Sequence, residues 1–270
     1  MMLDPDTAAE IADRLFEAER DRVQIGLVSG AHPGLTMACA YAIQQRLVDR
    51  KIESGRTATG WKIGLTSRAM QNALDIDIPD SGVLFDDMHF ESGASVPRGR
   101  YIQPRIEAEI AFVMEHGLDG SRPVSRDDVM SATRHVCPAL EILDTRIVRQ
   151  DPVSGASRTV LDTIADNAAN AGIVLGENRV PANSRDLRWV GAIVSRNGVV
   201  EETGLGAGVL NDPPLAIAWL AERLASVGHR IRPDDVVLSG SFIRPIEARP
   251  GDRFEASFGD FGSVSVRFST

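Results

Sequence analysis

The chain has 270 residues, 43% of them hydrophobic and 25% charged, which is the make-up of an ordinary globular protein long enough to bury a large core. A net charge of −9, a pI near 5.1 and the lack of any basic stripe argue against nucleic acid or an anionic membrane surface as the main partner, because phosphate binding depends on clustered Lys and Arg. Cys39 and Cys137 lie far apart, so a disulfide framework and the usual zinc ribbons are excluded, and without a leader pattern or a span-length apolar run a soluble cytoplasmic protein is expected.

Thr7 and Glu10 have the form of a capping box, and Ile11, Ala12, Leu15 and Phe16 follow at helical spacing, which predicts a first helix running to about residue 28. Met37 to Ile52 predicts a second, with Thr36 as N-cap and Gly55 beyond its end. From residue 57 short runs of Val, Ile, Phe and Thr are broken by Gly, Pro, Asp and Asn, the pattern of strands and turns. A helical region over 1–56 and a β-rich main domain over 57–270 are therefore expected. Early in that domain Lys62 sits between Trp61 and Ile63, where a half-buried ammonium could orient a carboxylate or transfer a proton, although a snorkelling surface lysine is the more common case. Asp80, between Pro79 and Ser81-Gly82, reads by itself as turn chemistry.

Residues 101–113 predict a strand whose one face carries Glu107, Glu109, Ala111 and Val113 and whose other face is Ile106, Ala108, Ile110 and Phe112. Residues two apart in a strand share a face at roughly 6.5 to 7 Å, so both glutamates can reach one ion. Buried carboxylates need a cation, an arginine or a raised pKa, and ion pairs to Arg105 or Arg146 would satisfy the pattern as well as a metal would. A short helix is predicted from Ser125, then a strand through 138–143. That strand carries Glu141, either a third ligand for a hard divalent cation or an ion-pair partner of Arg146. Asp166 and Asn167 precede Ala168-Ala169-Asn170-Ala171-Gly172, a small-residue run that allows close approach of a ligand or tight packing.

Trp189 to Ser195 predicts a strand, with Asn197-Gly198 turning into Val199-Val200. Asn211 or Asp212 caps a helix from Pro213 or Pro214, with Leu215, Trp219 and Leu220 inward. Late strands are expected at 236–242, 253–258 and 263–268. Ser239-Gly240-Ser241 offers N–H and hydroxyl donors for a carboxylate, with Arg244 nearby, although a plain loop is the default. None of the five histidines has metal-ligand spacing.

Several of these segments match one family in order along nearly the whole chain: Gly60-Trp61-Lys62-Ile63-Gly64-Leu65-Thr66-Ser67, Pro104-Arg105-Ile106-Glu107-Ala108-Glu109, Pro138-Ala139-Leu140-Glu141-Ile142 and Asp166 to Gly172. They resemble the hydratase and decarboxylase branch of the fumarylacetoacetase superfamily. The resemblance implies an α+β fold, a mixed β-sheet roll or barrel with short helices behind a small helical N-terminal region. It implies Mg²⁺ or Mn²⁺ on Glu107, Glu109 and Glu141, and Lys62 and Asp80 as the catalytic acid/base residues. Ser241, Arg244, Asp166 and Asn167 are the substrate-binding candidates, with Arg244 or Arg68 set to meet a distal carboxylate. The implied reaction is addition of water to a 2-oxo-heptenedioate or its dienol tautomer in homoprotocatechuate catabolism. Also implied are homo-oligomers (decamers in relatives) and association with other enzymes of the route. One departure touches the pocket: Ser81 stands where relatives commonly carry an aromatic residue. A 2-hydroxypentadienoate hydratase, a 2-oxo-3-enedioate decarboxylase and a non-catalytic partner subunit are the competing readings.

Overall fold

The computed structural model describes residues 3–73, 76 and 78–270. Helix α1 is Pro5–Asp21, capped by the Asp4 carboxylate, which accepts from the Thr7 N–H at 3.2 Å, with Pro5 in the first turn where no N–H is needed. It starts before Thr7 and stops well short of residue 28, because Arg22 turns left-handed (φ 59°) and Ile25 then bridges to Ile147. A single turn, α2 (Val28–Ala31), leads to α3 (Met37–Glu53), where Thr36 Oγ1 accepts from the Cys39 N–H. α1 and α3 bury Ile11, Leu15, Ile43 and Leu47 in one apolar cluster with Ile147 and Ile164. The N-terminal helices therefore share a core with the β-rich part.

The larger sheet runs β2-β1-β10-β5-β6-β7-β3, with β11 added alongside β5. Its strands are β1 (Ala58–Gly64), β2 (Asp80–Phe85), β3 (His89–Glu91), β5 (Arg105–Met114), β6 (Thr133–Leu143), β7 (Asn170–Leu175), β10 (Val236–Leu238) and β11 (Ile246–Glu247). The second sheet, β4-β13-β12-β8-β9, contains β4 (Ser95–Val96), β8 (Gly191–Arg196), β9 (Val199–Leu205), β12 (Arg253–Ser257) and β13 (Ser263–Phe268). β1 on β10, β3 on β7 and β4 on β13 pair in parallel, while the long β5–β6 ladder is antiparallel. The mixed roll is as expected, but among the described residues neither sheet closes into a barrel.

Ile106, Ala108, Ile110 and Phe112 are all fully buried on one face of β5, in the same core as Phe254, Val264 and Val266 of the second sheet. The second sheet thus packs on that face of β5, which leaves the opposite one for chemistry. Short helices α4 (Arg68–Ala73), α5 (Arg126–Ala132) and α6 (Val160–Ala165) and the longer α7 (Pro213–Ala225) fill the connections. α5 has the Ser125/Asp128 capping box read from the sequence. On α7, Leu220 is buried but Leu215 is exposed, and Trp189 lies in a turn before β8.

The small-residue run after α6 is a backbone device. Asn167, Ala168 and Ala169 are all left-handed (φ 51°, 51° and 58°), a conformation that costs non-glycine residues energy unless the surroundings fix it. The Asn167 side chain fixes it from one side: its Oδ1 accepts from Val83 N–H at 2.8 Å and its Nδ2 donates to Val83 C=O at 2.9 Å. From the other side Arg146 holds Asp166 by a buried ion pair at 2.5 Å and donates to the Asp166 carbonyl at 2.6 Å. Asp166 and Asn167, expected as substrate-binding residues, therefore spend their side-chain hydrogen bonds on the fold. Arg146→Met should leave the Asp166 carboxylate buried and unpaired, lowering unfolding stability by about 3 to 5 kcal/mol; a urea midpoint within error of wild type would show that the pair is not needed.

Candidate metal centre and active site

The β5–β6 register sets Glu107 directly opposite Glu141 and Glu109 opposite Ala139. Alternation along β5 puts Glu107 and Glu109 on the same face, and the small Ala139 leaves Glu109 room to turn toward the other two. One oxygen from each of the three carboxylates lies within 4.8 Å of the others. Glu109 and Glu141 are fully buried, and Glu107 is half-buried. The arginines offered by the sequence as partners do not neutralise them: Arg146 is committed to Asp166, and Arg105 makes no ion pair with any described residue.

What holds the carboxylates is partial. The Gly240 N–H donates to Glu109 Oε2 at 2.7 Å, and Asn170 Nδ2 donates to Glu141 Oε1 at 2.7 Å, with Lys62 Nζ 3.4 Å from that oxygen. Gly240 has φ 118°, and a Cβ there would meet Thr66 Oγ1 at 2.3 Å, so only glycine delivers this N–H. Glu109 Oε1 and Glu141 Oε2 are buried without a hydrogen-bond partner. Three carboxylates around one point, two of them with an orphaned oxygen and with Lys62 Nζ beside Glu141, fit a hard divalent cation such as Mg²⁺ or Mn²⁺.

The protonation equilibria carry the same imbalance. Burial, reinforced by Glu141 and opposed by Lys62, pushes the Glu107 carboxyl up to about 8. Burial and the fields of Glu141 and Glu107 raise Glu109 well above the usual carboxylate range. Burial works against the Lys62 ammonium, but Glu141, Asp80, Glu107 and Glu109 together outweigh it and hold the proton on more firmly than in water. Burial also raises Asp80, against the pull of Lys62.

Lys62 and Asp80 reach the same place by strand pairing: Asp80 lies opposite Gly64 across β1 and β2, two residues along from Lys62. A Cβ on Gly64 would come within 2.2 Å of Asp80 Oδ1 and 3.0 Å of Lys62 Nζ. The missing side chain of Gly64 is the space these two groups share. Lys62 Nζ also donates to the Ala168 carbonyl at 3.2 Å, which is what the left-handed 167–169 segment contributes to the site.

A cavity of about 490 Å³ opens beside them, lined in part by Lys62, Asp80 and Glu107. Ser241 and Arg244 also line it. The Ser241 hydroxyl is tied to its own turn, donating to Ile243 C=O at 2.9 Å, and Arg244 is 80% exposed and paired with Glu202 at 2.7 Å. Arg68 is exposed and off the lining, and the side chains of Asp166 and Asn167, fully buried, are off it too. Ser81 is buried against α3, where its carbonyl accepts from Gln44 Nε2 at 2.8 Å, and it does not line the cavity. The departure that the resemblance implied at Ser81 therefore lies in the packing beneath β2, away from the pocket wall. Sequence reasoning weighed Arg105 only as an ion-pair partner of the glutamates and left out Gln103, Arg149 and Arg158; all four are on the lining. Alternation alone places Arg105 on the glutamate face; Arg149 and Arg158 come from a loop with no comparable signal.

A model of the fumarylacetoacetate (FAA) hydrolase C-terminal family matches residues 62–269. The chain belongs to this family. It is 48% identical over 267 residues to the 2-oxo-hept-4-ene-1,7-dioate hydratase of Escherichia coli, covering 99% of this chain and 100% of that one. It is 36% identical to the 2-keto-4-pentenoate hydratase of Paraburkholderia xenovorans strain LB400, over 98% and 96% of the two chains. Among solved structures, 4-oxalocrotonate decarboxylase from Pseudomonas putida G7 in complex with magnesium and adipate superimposes with a TM-score of 0.92 at 31% identity, over 99% of both chains. The same decarboxylase has also been solved with calcium and acetate. Relatives of this chain thus include both hydro-lyases and a metal-binding decarboxylase on one fold.

The raised carboxyls give the site a pH signature. Without metal, Glu107 keeps its proton up to about 8 in the folded chain but only to 4.5 when unfolded, so between those values the folded state binds more protons and its stability falls as pH rises. A cation that requires the charged carboxylates removes that loss. The rise in Tm on saturation with Mg²⁺ should therefore be larger near pH 8.5 than near pH 6, with protons released on binding at the lower pH. Identical Tm gains at both pH values would show that these carboxylates are not the ligands.

Proposed function

We propose that this chain is a metal-dependent hydratase acting on an unsaturated 2-oxo dicarboxylate of the 2-oxo-heptenedioate type, giving the 4-hydroxy-2-oxo dioate in aromatic catabolism. The observation that carries the reading is the placement of Lys62 and Asp80 in one shared space beside three converging carboxylates at the wall of a cavity. The 48% identity to a hydratase of that substrate supports it. Glu107, Glu109 and Glu141 would hold the cation, which supplies Lewis acidity toward the substrate's carboxylate and 2-oxo oxygen.

This chain's own residues then handle protons. With the double bond one position out of conjugation, a proton leaves C3 and another is delivered at C5, which brings the alkene into conjugation with the 2-oxo group. Water next adds its oxygen to C4 while C3 receives a proton. Both stages need one group that gives a proton and one that takes it. Lys62, held as the ammonium by the surrounding carboxylates, and Asp80, raised by burial, form that pair and act as a coupled unit. Burial keeps bulk water from the exchange, and the Ala168 carbonyl fixes the direction of Lys62 Nζ.

Residues 57–270 form the catalytic part in this reading, with the helices of 1–56 docked against it through their shared core. A homo-oligomer is supported by exposed apolar side chains on the second sheet and the turn before it, Trp189 (74%), Ile193 (52%) and Val199 (67%). Among the described residues no helix is long and apolar enough to cross a membrane, in keeping with a cytoplasmic enzyme.

The 0.92 superposition on a decarboxylase gives one rival, in which the same arrangement expels CO₂. Incubating the Mg²⁺-loaded protein with 2-oxohept-4-ene-1,7-dioate should yield a 4-hydroxy product by mass spectrometry and no CO₂. Stoichiometric CO₂ from a 2-oxo-3-enedioate, with no hydroxylated product from either compound, would decide for the rival. Lys62→Met should lower kcat by about 10²- to 10⁴-fold, the range for loss of a general acid or base, and Glu109→Gln should abolish metal-dependent turnover; near-normal rates for either variant in metal-stripped buffer would remove the mechanism.

A further inference from the structure

The cavity holds three guanidinium groups that have no ion-pair partner among the described residues. Arg105 lies on β5 two residues before Glu107, on the same face and facing Leu143 of β6, one strand step (roughly 7 Å) from the carboxylate pair. Arg149 and Arg158 face each other across a loop closed by the Gln150–Ser157 bridge and by a hydrogen bond from the Arg158 N–H to the Arg149 carbonyl at 2.8 Å. All three line the cavity. Arg105 Nε, Arg149 Nε and Arg158 Nη1 are buried without a hydrogen-bond partner, and no described carboxylate is within ion-pair distance of any of them.

Buried donors on like charges are an unfavourable arrangement for a structural purpose, since repulsion and desolvation add. An anion supplied from outside reverses both. Arginine's planar fork suits a carboxylate in particular. Apolar Leu143 and Val160 line the same cavity, as the carbon chain between two acidic ends requires.

We propose that Arg105, Arg149 and Arg158 form a subsite for the distal carboxylate of a dicarboxylic 2-oxo acid, and that this subsite sets the preference for dioates over mono-acids. The proposal rests on the hydratase reading for which end of the substrate lies at the glutamates. It reassigns the role expected of Arg244, which is mostly exposed and already paired with Glu202.

Two saturated probes matched in length, 2-oxoheptanedioate and 2-oxoheptanoate, differ only in the distal carboxylate and cannot be hydrated. Calorimetric titration into the Mg²⁺-loaded protein should show the dioate bound roughly 10- to 100-fold more tightly, the worth of charge-assisted hydrogen bonds. In Arg149→Gln and Arg158→Gln the gap should shrink to less than about 5-fold while oxalate, which reaches only the metal end, binds as before. A wild type without the gap, or variants that keep it whole, would overturn the subsite. If the glutamine variants do not fold, Arg149→Lys and Arg158→Lys keep the charge but lose the fork and should still narrow the gap; an unaltered gap in them counts equally against it. A wild type that shows the gap but makes no 4-hydroxy product refutes the hydratase reading and leaves the subsite standing.

Discussion

The pairing of β5 with β6 is the constraint on which the site depends. Strand side chains alternate, so a slip of one residue would turn Glu141 into the apolar core and bring Leu140 or Ile142 to face Glu107. The register is enforced from behind: Ile106, Ala108, Ile110 and Phe112 must stay in the core shared with the second sheet, and any shift would expose the whole set to the wrong side. Hydrophobic burial on one face thus holds in place a concentration of negative charge on the other that would not gather of its own accord.

Around that charge the chain spends uncommon backbone conformations. Gly240 at positive φ and three consecutive left-handed residues at 167–169 bring an N–H to Glu109 and a carbonyl to Lys62. None of these would persist alone, and each is locked by contacts reaching into separate elements, Asn167 into β2 and Arg146 across to Asp166. The buried ion pair is therefore placed where it fixes geometry beside the site, at a distance from the reacting groups.

How much of this was legible in the sequence follows from the range of the interactions. Glu107 and Glu109 were visible because alternation is local, and the capping box at Ser125 and the Asn197-Gly198 hairpin because turn chemistry is local too. The convergence of Glu141 was not, since the same residue types allowed a pair with Arg146 until Asp166 was seen to claim that arginine. Asp166 and Asn167 looked like ligand contacts because they precede a run of small residues; their side chains point instead to Arg146 and Val83, neighbours that only the fold supplies. The first helix ended early for a similar reason: apolar spacing continued past Arg22, but pairing of Ile25 with Ile147 won over helix propagation. Arg149 and Arg158 had no periodic signal at all, being brought to the cavity by a loop.

Charge on the whole molecule and charge within the cavity run in opposite senses. An acidic protein of net charge −9 repels a dianion at long range, yet that repulsion is screened within about 8 Å at physiological ionic strength. Inside the cavity, screening by water and salt is weakest, so the local groups decide. There the lining carries Lys62, the Arg244–Glu202 pair and three guanidiniums without an ion-pair partner among the described residues, while Glu107, Glu109 and Glu141 form a compact set suited to a divalent ion. With that set occupied, the divalent ion and Lys62 together offset the three carboxylates, the arginine end stays cationic and apolar side chains lie on the wall between, a distribution that fits a short dioate and leaves a mono-acid with arginines it cannot satisfy. Discrimination then arises from the penalty of leaving buried donors unpaired, which is larger than the gain from any added contact.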